Sequence, residues 1–229
     1  MRVAVLFSGG KDSTYSLHWA YLKGFNISCL VTLEPRSEES WMFHYPTITL
    51  TRLQAKALNL PQIYVKTKGK KDEELRDLKK AIEKAIKRHG INGVVSGALL
   101  SDYQRMNINM ICEELNLRCY SPFWRKNQEM HLIDLIDFGF EIVITGIYTH
   151  GLDRDLLGKK ITKKIAYDII RRARKMGFNP AFEGGEAETF VTDAPLFKRK
   201  IEIVRGRIVE LNTYAWRYVI EDARLVEKI

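Results

Sequence analysis

Residue types capable of chemistry crowd together in two stretches, Ser8-Gly9-Gly10-Lys11-Asp12-Ser13 and Glu183-Gly184-Gly185-Glu186-Ala187-Glu188-Thr189. In the first, adjacent glycines let the backbone turn so that several N–H groups converge on one anion. Lys11 adds a mobile cation, and Ser8 and Ser13 add hydroxyls. The apolar run Val3 to Phe7 precedes the stretch and the helical-looking run Thr14 to Lys23 follows it. The order is therefore strand, glycine turn, helix, and the positive end of the helix strengthens the pull on an anion. Asp12 opposes an anion unless a magnesium ion joins it, because Mg²⁺ takes one or two carboxylates together with phosphate oxygens. These features make a pyrophosphate cradle. It is not a Walker A loop: Val5 stands where that motif needs its first glycine, and Asp12 follows Lys11 in place of Ser or Thr.

In the second stretch Glu183, Glu186 and Glu188 surround a Gly-Gly turn. Carboxylates at this density repel one another unless a cation sits among them or one of them holds its proton. A solvated acidic loop is the alternative, and the flanking Phe182 and Phe190 argue for partial burial instead.

The elements that would position these stretches alternate. Strands are expected at Val3–Phe7, Ile27–Leu33, Gln62–Val65, Ile91–Val95, Leu117–Tyr120 and Phe140–Ile147, with helical periodicity between them. That pattern predicts an α/β fold with a largely parallel, Rossmann-like nucleotide-binding sheet over residues 1–148. A smaller α+β region is expected over 149–229, where the pattern changes. Gly97, at the end of the fourth strand, lets backbone or ligand approach closely. His44, past the carboxyl edge of the second strand, is a candidate to face the nucleotide, or else a packed histidine. Over 159–175 a helix is expected that carries Lys159, Lys160, Lys163, Lys164, Arg171, Arg172, Arg174 and Lys175 against one acid, Asp168. It is either a solvated face or a docking face for an anionic macromolecule. A closing hairpin is expected from Lys200–Arg205 and Arg207–Leu211, turning at Gly206.

With 45% hydrophobic and 28% charged residues the chain is a soluble globular type. No apolar run approaches the roughly 20 residues that cross a bilayer, so no membrane partner is expected. The first residues enter a strand directly, without the pattern of a signal peptide. Three cysteines without a C-x-x-C pair fit a reducing, cytoplasmic setting and argue against disulfide, structural zinc, iron–sulfur or persulfide-relay chemistry. A net charge of +9 favours an acidic partner, although a Lys-, Arg- and Glu-rich surface has the same effect.

The first stretch resembles the SGGxDS loop of the N-type ATP pyrophosphatases, an adenine nucleotide alpha hydrolase-like fold. Taken with Gly97-Ala98 to Tyr103-Gln104-Arg105 and with the second stretch, which is similar to an EGGExET signature, the chain resembles the diphthine–ammonia ligases over nearly its whole length. The resemblance implies that ATP adenylates the carboxyl of diphthine on translation elongation factor 2, that ammonia displaces AMP, and that diphthamide, AMP and pyrophosphate result. It implies nucleotide binding at Ser8, Gly9, Gly10, Lys11, Asp12, Ser13 and Gly97, with His44 beside them, and magnesium at Asp12. It implies substrate binding at Ser101, Tyr103, Gln104, Arg105, Glu183, Gly184, Gly185 and Glu186, and catalytic work by Lys11, Asp12, Glu186 and Glu188. Where the family pattern leads us to expect a further arginine and an acid after Arg105, this chain has Asn107 and Asn109. No glutaminase signature is present, so free ammonium is the expected nitrogen source.

Two other functions fit parts of the sequence. A tRNA-modifying ATP pyrophosphatase would account for the glycine loop and the basic helix but leaves the acidic loop unexplained. A protein that binds ATP or AMP without turnover would not need the complete Lys11-Asp12-Ser13 set. A homo-oligomer is compatible with all three.

Overall fold

A computed structural model describes residues 1–35, 47–67 and 71–228. They divide into two compact units, Met1–Trp124 and Arg125–Ile229.

In the first unit β1 (Arg2–Leu6), β2 (Asn26–Pro35), β3 (Gln62–Thr67), β4 (Gly93–Val95) and β5 (Arg118–Tyr120) form one sheet in the order β3-β2-β1-β4-β5. Every pairing is parallel. Parallel neighbours need crossovers, and these are α1 (Lys11–Leu22), α2 (Thr51–Leu58), α3 (Lys71–His89) and α4 (Asp102–Glu114). Val3, Ala4, Val5 and Phe7 are completely buried, which is why this strand is apolar throughout and does not alternate. Leu78, Ala81, Ile82 and Ala85 give α3 a buried stripe at helical spacing, and they pack in one cluster with Ala4, Val31 and Val94. The strand order reverses between β1 and β4. In open α/β sheets that reversal opens a crevice beyond the carboxyl ends of the strands. Ser8 leaves β1 and Ser96-Gly97 leaves β4 at this point.

The second unit holds an antiparallel sheet in the order β7-β6-β9-β8, built from β6 (Glu141–Ile147), β7 (Ala187–Asp193), β8 (Lys200–Asn212) and β9 (Ala215–Val226). Its helices are α5 (Gln128–Asp137) and α6 (Lys163–Met176). Ala166, Ile169, Ile170 and Ala173 form the buried stripe of α6. Thr162 caps its first turn by accepting from the Ile165 N–H at 3.3 Å, and Gly177, at φ 79°, ends it.

Four sequence expectations differ from this arrangement. The strand at Phe140–Ile147 does not extend the parallel sheet; it pairs antiparallel with β7 and β9, and the division between units falls at 124/125 and not at 148/149. An apolar run such as Ile142-Val143-Ile144 is buried on both faces in either kind of sheet, so its composition does not reveal its partners. Gly206 is not a turn. β8 continues through it, with the pairing to β9 shifting register between Arg205 and Gly206, and a Cβ there would run into the Tyr218 ring on β9. The glycine serves a close approach between strands. The basic helix begins at Lys163, and Lys160 instead makes an isolated antiparallel bridge to Val143. Among the described residues no helix is long and apolar enough to cross a membrane.

Candidate functional site

The first glycine loop joins β1 to α1. Gly9 has φ 80°, a conformation that side chains other than hydrogen strain, and a Cβ there would meet Gln54 Oε1 at 2.3 Å. Gln54, fully buried on α2, donates from Nε2 to the Gly9 carbonyl at 2.8 Å and so fixes the turn from beneath. Gly10 is the N-cap of α1 and offers no side-chain cap, so no side chain from that position answers the first-turn N–H groups of the helix. Ser13 turns inward: its hydroxyl accepts from the Ser8 N–H at 3.3 Å, lies 3.2 Å from Ser8 Oγ and donates to the Gly10 carbonyl at 3.2 Å. Lys11 is 3% exposed and donates to Asp12, 21% exposed, at 2.7 Å. The cation is therefore pre-set beside the loop.

Gly97 touches this loop from β4. A Cβ on it would lie 2.8 Å from the Ser13 nitrogen and 2.9 Å from the Asp12 carbonyl carbon. Its lack of a side chain brings the β4 end against the first turn of α1. Ser101 is the N-cap of α4 and accepts from the Gln104 N–H at 3.3 Å. Tyr103 packs on the apolar core, and Asn107 donates back to its carbonyl at 2.7 Å. Arg105 lays its guanidinium 4.5 Å over the Trp124 ring. The Cys112 and Cys119 thiols meet across α4 and β5, a pairing absent from the sequence spacing. The hydrogen bond from Cys112, with Arg105 nearby, lowers the pKa of Cys119 against the opposing effect of burial, while that bond and burial raise Cys112. His44 lies outside the described residues.

The acidic loop belongs to the second unit. Phe182 and Phe190 are buried, as the flanking aromatics led us to expect. Gly185 has φ 83° and Phe182 φ 66°, and the Gly185 N–H donates to the Phe182 carbonyl at 3.3 Å. Both carboxylate oxygens of Glu186 are engaged inside the loop: Oε1 accepts from the Asn179 N–H and Oε2 from the Gly184 N–H, each at 2.8 Å. Backbone donors thus offset the charge that the sequence alone leaves unanswered. Glu188 accepts from the Tyr148 hydroxyl. Burial first, then the neighbouring Glu188 charge, push the Tyr148 phenol up to about 12. Among the described residues no three His, Cys, Asp or Glu side chains converge closely enough to hold a metal ion by themselves.

The basic helix is largely answered by local acids. Arg172 contacts Asp153 and reaches Asp168 at 2.7 Å, Arg171 contacts Asp168, Arg174 forks onto Glu129, and Lys163 reaches Asp137 at 2.8 Å. Paired in this way, those charges favour the solvated-face reading.

Gln54, Tyr148 and Arg217 were not singled out from the sequence. A glutamine inside the apolar stripe of α2 is a usable signal for the first. The other two lie 40 residues upstream and 29 residues downstream of Glu188, and no local pattern links them.

A parallel sheet whose switch point is flanked by an uncapped glycine turn defines, as a class, an α/β nucleotide-binding protein. Residues 1–119 match the family model of the diphthamide synthase N-terminal domain, and residues 127–226 that of the C-terminal domain. The chain is 35% identical over 231 aligned residues to the diphthine–ammonia ligase of Homo sapiens, covering 91% of this chain and 85% of that one. It is 30% identical to the diphthine–ammonia ligase of Schizosaccharomyces pombe, covering 92% of this chain and 37% of that longer protein. A solved structure titled as a predicted tRNA methyltransferase subunit from Methanocaldococcus jannaschii aligns with a TM-score of 0.41 at 16% identity, too distant to bear on fold or function. The chain belongs to the diphthamide synthase family, the diphthine–ammonia ligases, which are carbon–nitrogen bond-forming ligases.

Proposed function

We propose that this chain amidates diphthine on translation elongation factor 2 with ammonium, using ATP and releasing AMP and pyrophosphate, in the cytoplasm where that factor works. Family membership supports the substrate and the bond formed. The observation that carries the ATP half is the glycine turn: a backbone held by Gln54, a helix end without a side-chain cap and Lys11 beside it.

A carboxylate is a poor electrophile. In the first step its oxygen attacks the α-phosphorus of ATP, the bond to the β-phosphate oxygen breaks, and pyrophosphate departs. In the second, ammonia nitrogen attacks the activated carbonyl carbon, the bond to AMP breaks, and a proton is lost. The α1 N–H groups and Lys11 stabilise charge on the leaving pyrophosphate, where removing one contact of this kind costs about 10²–10³-fold in rate. Asp12 is partly exposed at the loop and presents a hard oxygen donor, so its chemistry fits magnesium. Asp12 would hold that ion, which would add positive charge against phosphate oxygens. Ammonia is mostly ammonium at neutral pH, and the acidic loop binds that cation and takes its proton.

The test is incubation of the chain with ATP, ammonium chloride and diphthine-bearing elongation factor 2. The expected result is AMP and pyrophosphate in equal amounts and the mass change of a carboxyl converted to an amide. ADP and phosphate as products, or AMP formation that needs tRNA and not the protein acceptor, would overturn the reading.

A further inference from the structure

The two carboxylates of the acidic loop differ in what surrounds them. Glu186 is held by loop N–H groups through both oxygens. Glu188 stands on β7 opposite Gly146 of β6, and Gly146 stands opposite Arg217 of β9 on its other side. Directly paired residues share one face of a sheet, and Tyr148, two residues beyond Gly146, shares it too. Tyr148 folds back over the bare Gly146: a Cβ on that glycine would lie 2.6 Å from the Tyr148 oxygen. The register also slips between Ile144 and Gly146, a bulge of the kind that re-aims side chains at strand ends. Glycine and bulge together make room for one phenol between an arginine and a glutamate.

The direction of the hydrogen bonds is fixed by what each group is able to do. Arginine only donates, and Arg217 Nε lies 3.4 Å from the Tyr148 oxygen. Tyrosine has a single O–H. With its oxygen accepting from Arg217, that O–H points to the Glu188 carboxylate, which accepts it. The Tyr148 N–H meanwhile holds the Glu186 carbonyl at 2.8 Å, so one residue ties down both ends of Glu186-Ala187-Glu188. The chain of donors ends on an anion, and a carboxylate accepts several hydrogen bonds. A carboxylate held in this way can accept further hydrogen bonds, and ammonium, the small donor-rich cation that the amidation reading supplies, fits it.

We propose that Tyr148, oriented by Arg217, is a positioning residue that aims Glu188 at the incoming ammonium, and that Glu186 shapes the loop. This deepens the amidation reading and rests on it. Tyr148→Phe removes one oxygen and keeps the ring over Gly146. The ammonium KM of the variant should rise about five- to ten-fold, while the KM for ATP and acceptor-dependent pyrophosphate exchange stay as in the wild type. Glu188→Gln should raise the ammonium KM further. Combining the two should add nothing to Glu188→Gln alone, because residues that act through one another do not add. An unchanged ammonium KM in Tyr148→Phe, or a double variant whose losses simply sum, would overturn the inference while wild-type activity stands. If Tyr148→Phe loses its fold by circular dichroism, Arg217→Gln reads the same relay: a rise confined to the ammonium KM supports it, and wild-type ammonium dependence refutes it. A wild-type chain that forms no AMP with acceptor and ammonium would refute the amidation reading and this inference with it.

Discussion

The two glycine loops look alike in the sequence, each a Gly-Gly pair among polar residues, and the structure uses them in opposite ways. In the loop of the first unit the side chains turn inward or sideways. Ser13 bonds to Ser8 and Gly10, Gln54 holds the Gly9 carbonyl, and Gly10 puts no cap on the helix end. The helix end behind it carries no side-chain cap from that position. In the loop of the second unit Glu186 takes up two backbone donors itself, at Asn179 and Gly184. A glycine turn that leads into a helix without a side-chain cap presents an anion-binding end, whereas one that closes its donors on its own carboxylate is a scaffold for the next residue along.

The sharpest way to break this comparison is at Lys11. Lys11→Ala should lower AMP and pyrophosphate formation by about 10²–10³-fold, with the fold intact by circular dichroism. A variant that still exchanges pyrophosphate at the wild-type rate would show that the first loop does not serve the nucleotide. The next test separates the two glutamates. Glu186→Ala should cost about 1–2 kcal/mol of stability, read as a lower midpoint in urea, since two N–H groups lose their acceptor. Glu188→Gln should leave that midpoint in place and change ammonium dependence. If the two variants exchange these phenotypes, the assignment of scaffold and working carboxylate is reversed.

The smallest effect expected is alkaline. Tyr148 in the folded chain titrates at about 12, above the ordinary tyrosine value near 10. Its contribution to stability is therefore complete below pH ~10 and lost as pH rises toward ~12, because there the unfolded phenol ionises first. The buried Cys29 thiol, pushed up to about 12, acts in the same direction and is common to wild type and variant. Between pH 9 and 11 the melting temperature of the wild type should fall slightly more than that of Tyr148→Phe. Equal falls would mean that Tyr148 titrates as if exposed.

The first loop was legible because its meaning is local: strand, two glycines, lysine and helix are contiguous, and the parallel strands around it are apolar runs of the right length. The strand at Glu141–Ile147 was legible as a strand but not as a member of the second sheet, since its partners come from residues 187–193 and 215–226. Gly206 was misread as a turn because a glycine that bends the chain and one that admits a tyrosine ring are the same letter. The Arg217–Tyr148–Glu188 relay was invisible for a related reason: it is assembled across three strands by sheet register, and register depends on long-range pairing.

Gly97 bears on how tolerance to mutation should be interpreted. Its missing side chain is what lets the end of β4 rest on the backbone of Asp12 and Ser13. A saturation library at this position should return glycine almost alone, and an assay of survivors would score the residue as if it gripped ATP. That intolerance would report a spacing between two backbone segments, transmitted to the loop through the sheet. Substitution profiles in this region therefore measure the fit of the frame, and contact with the nucleotide has to be established by the chemistry of the variants.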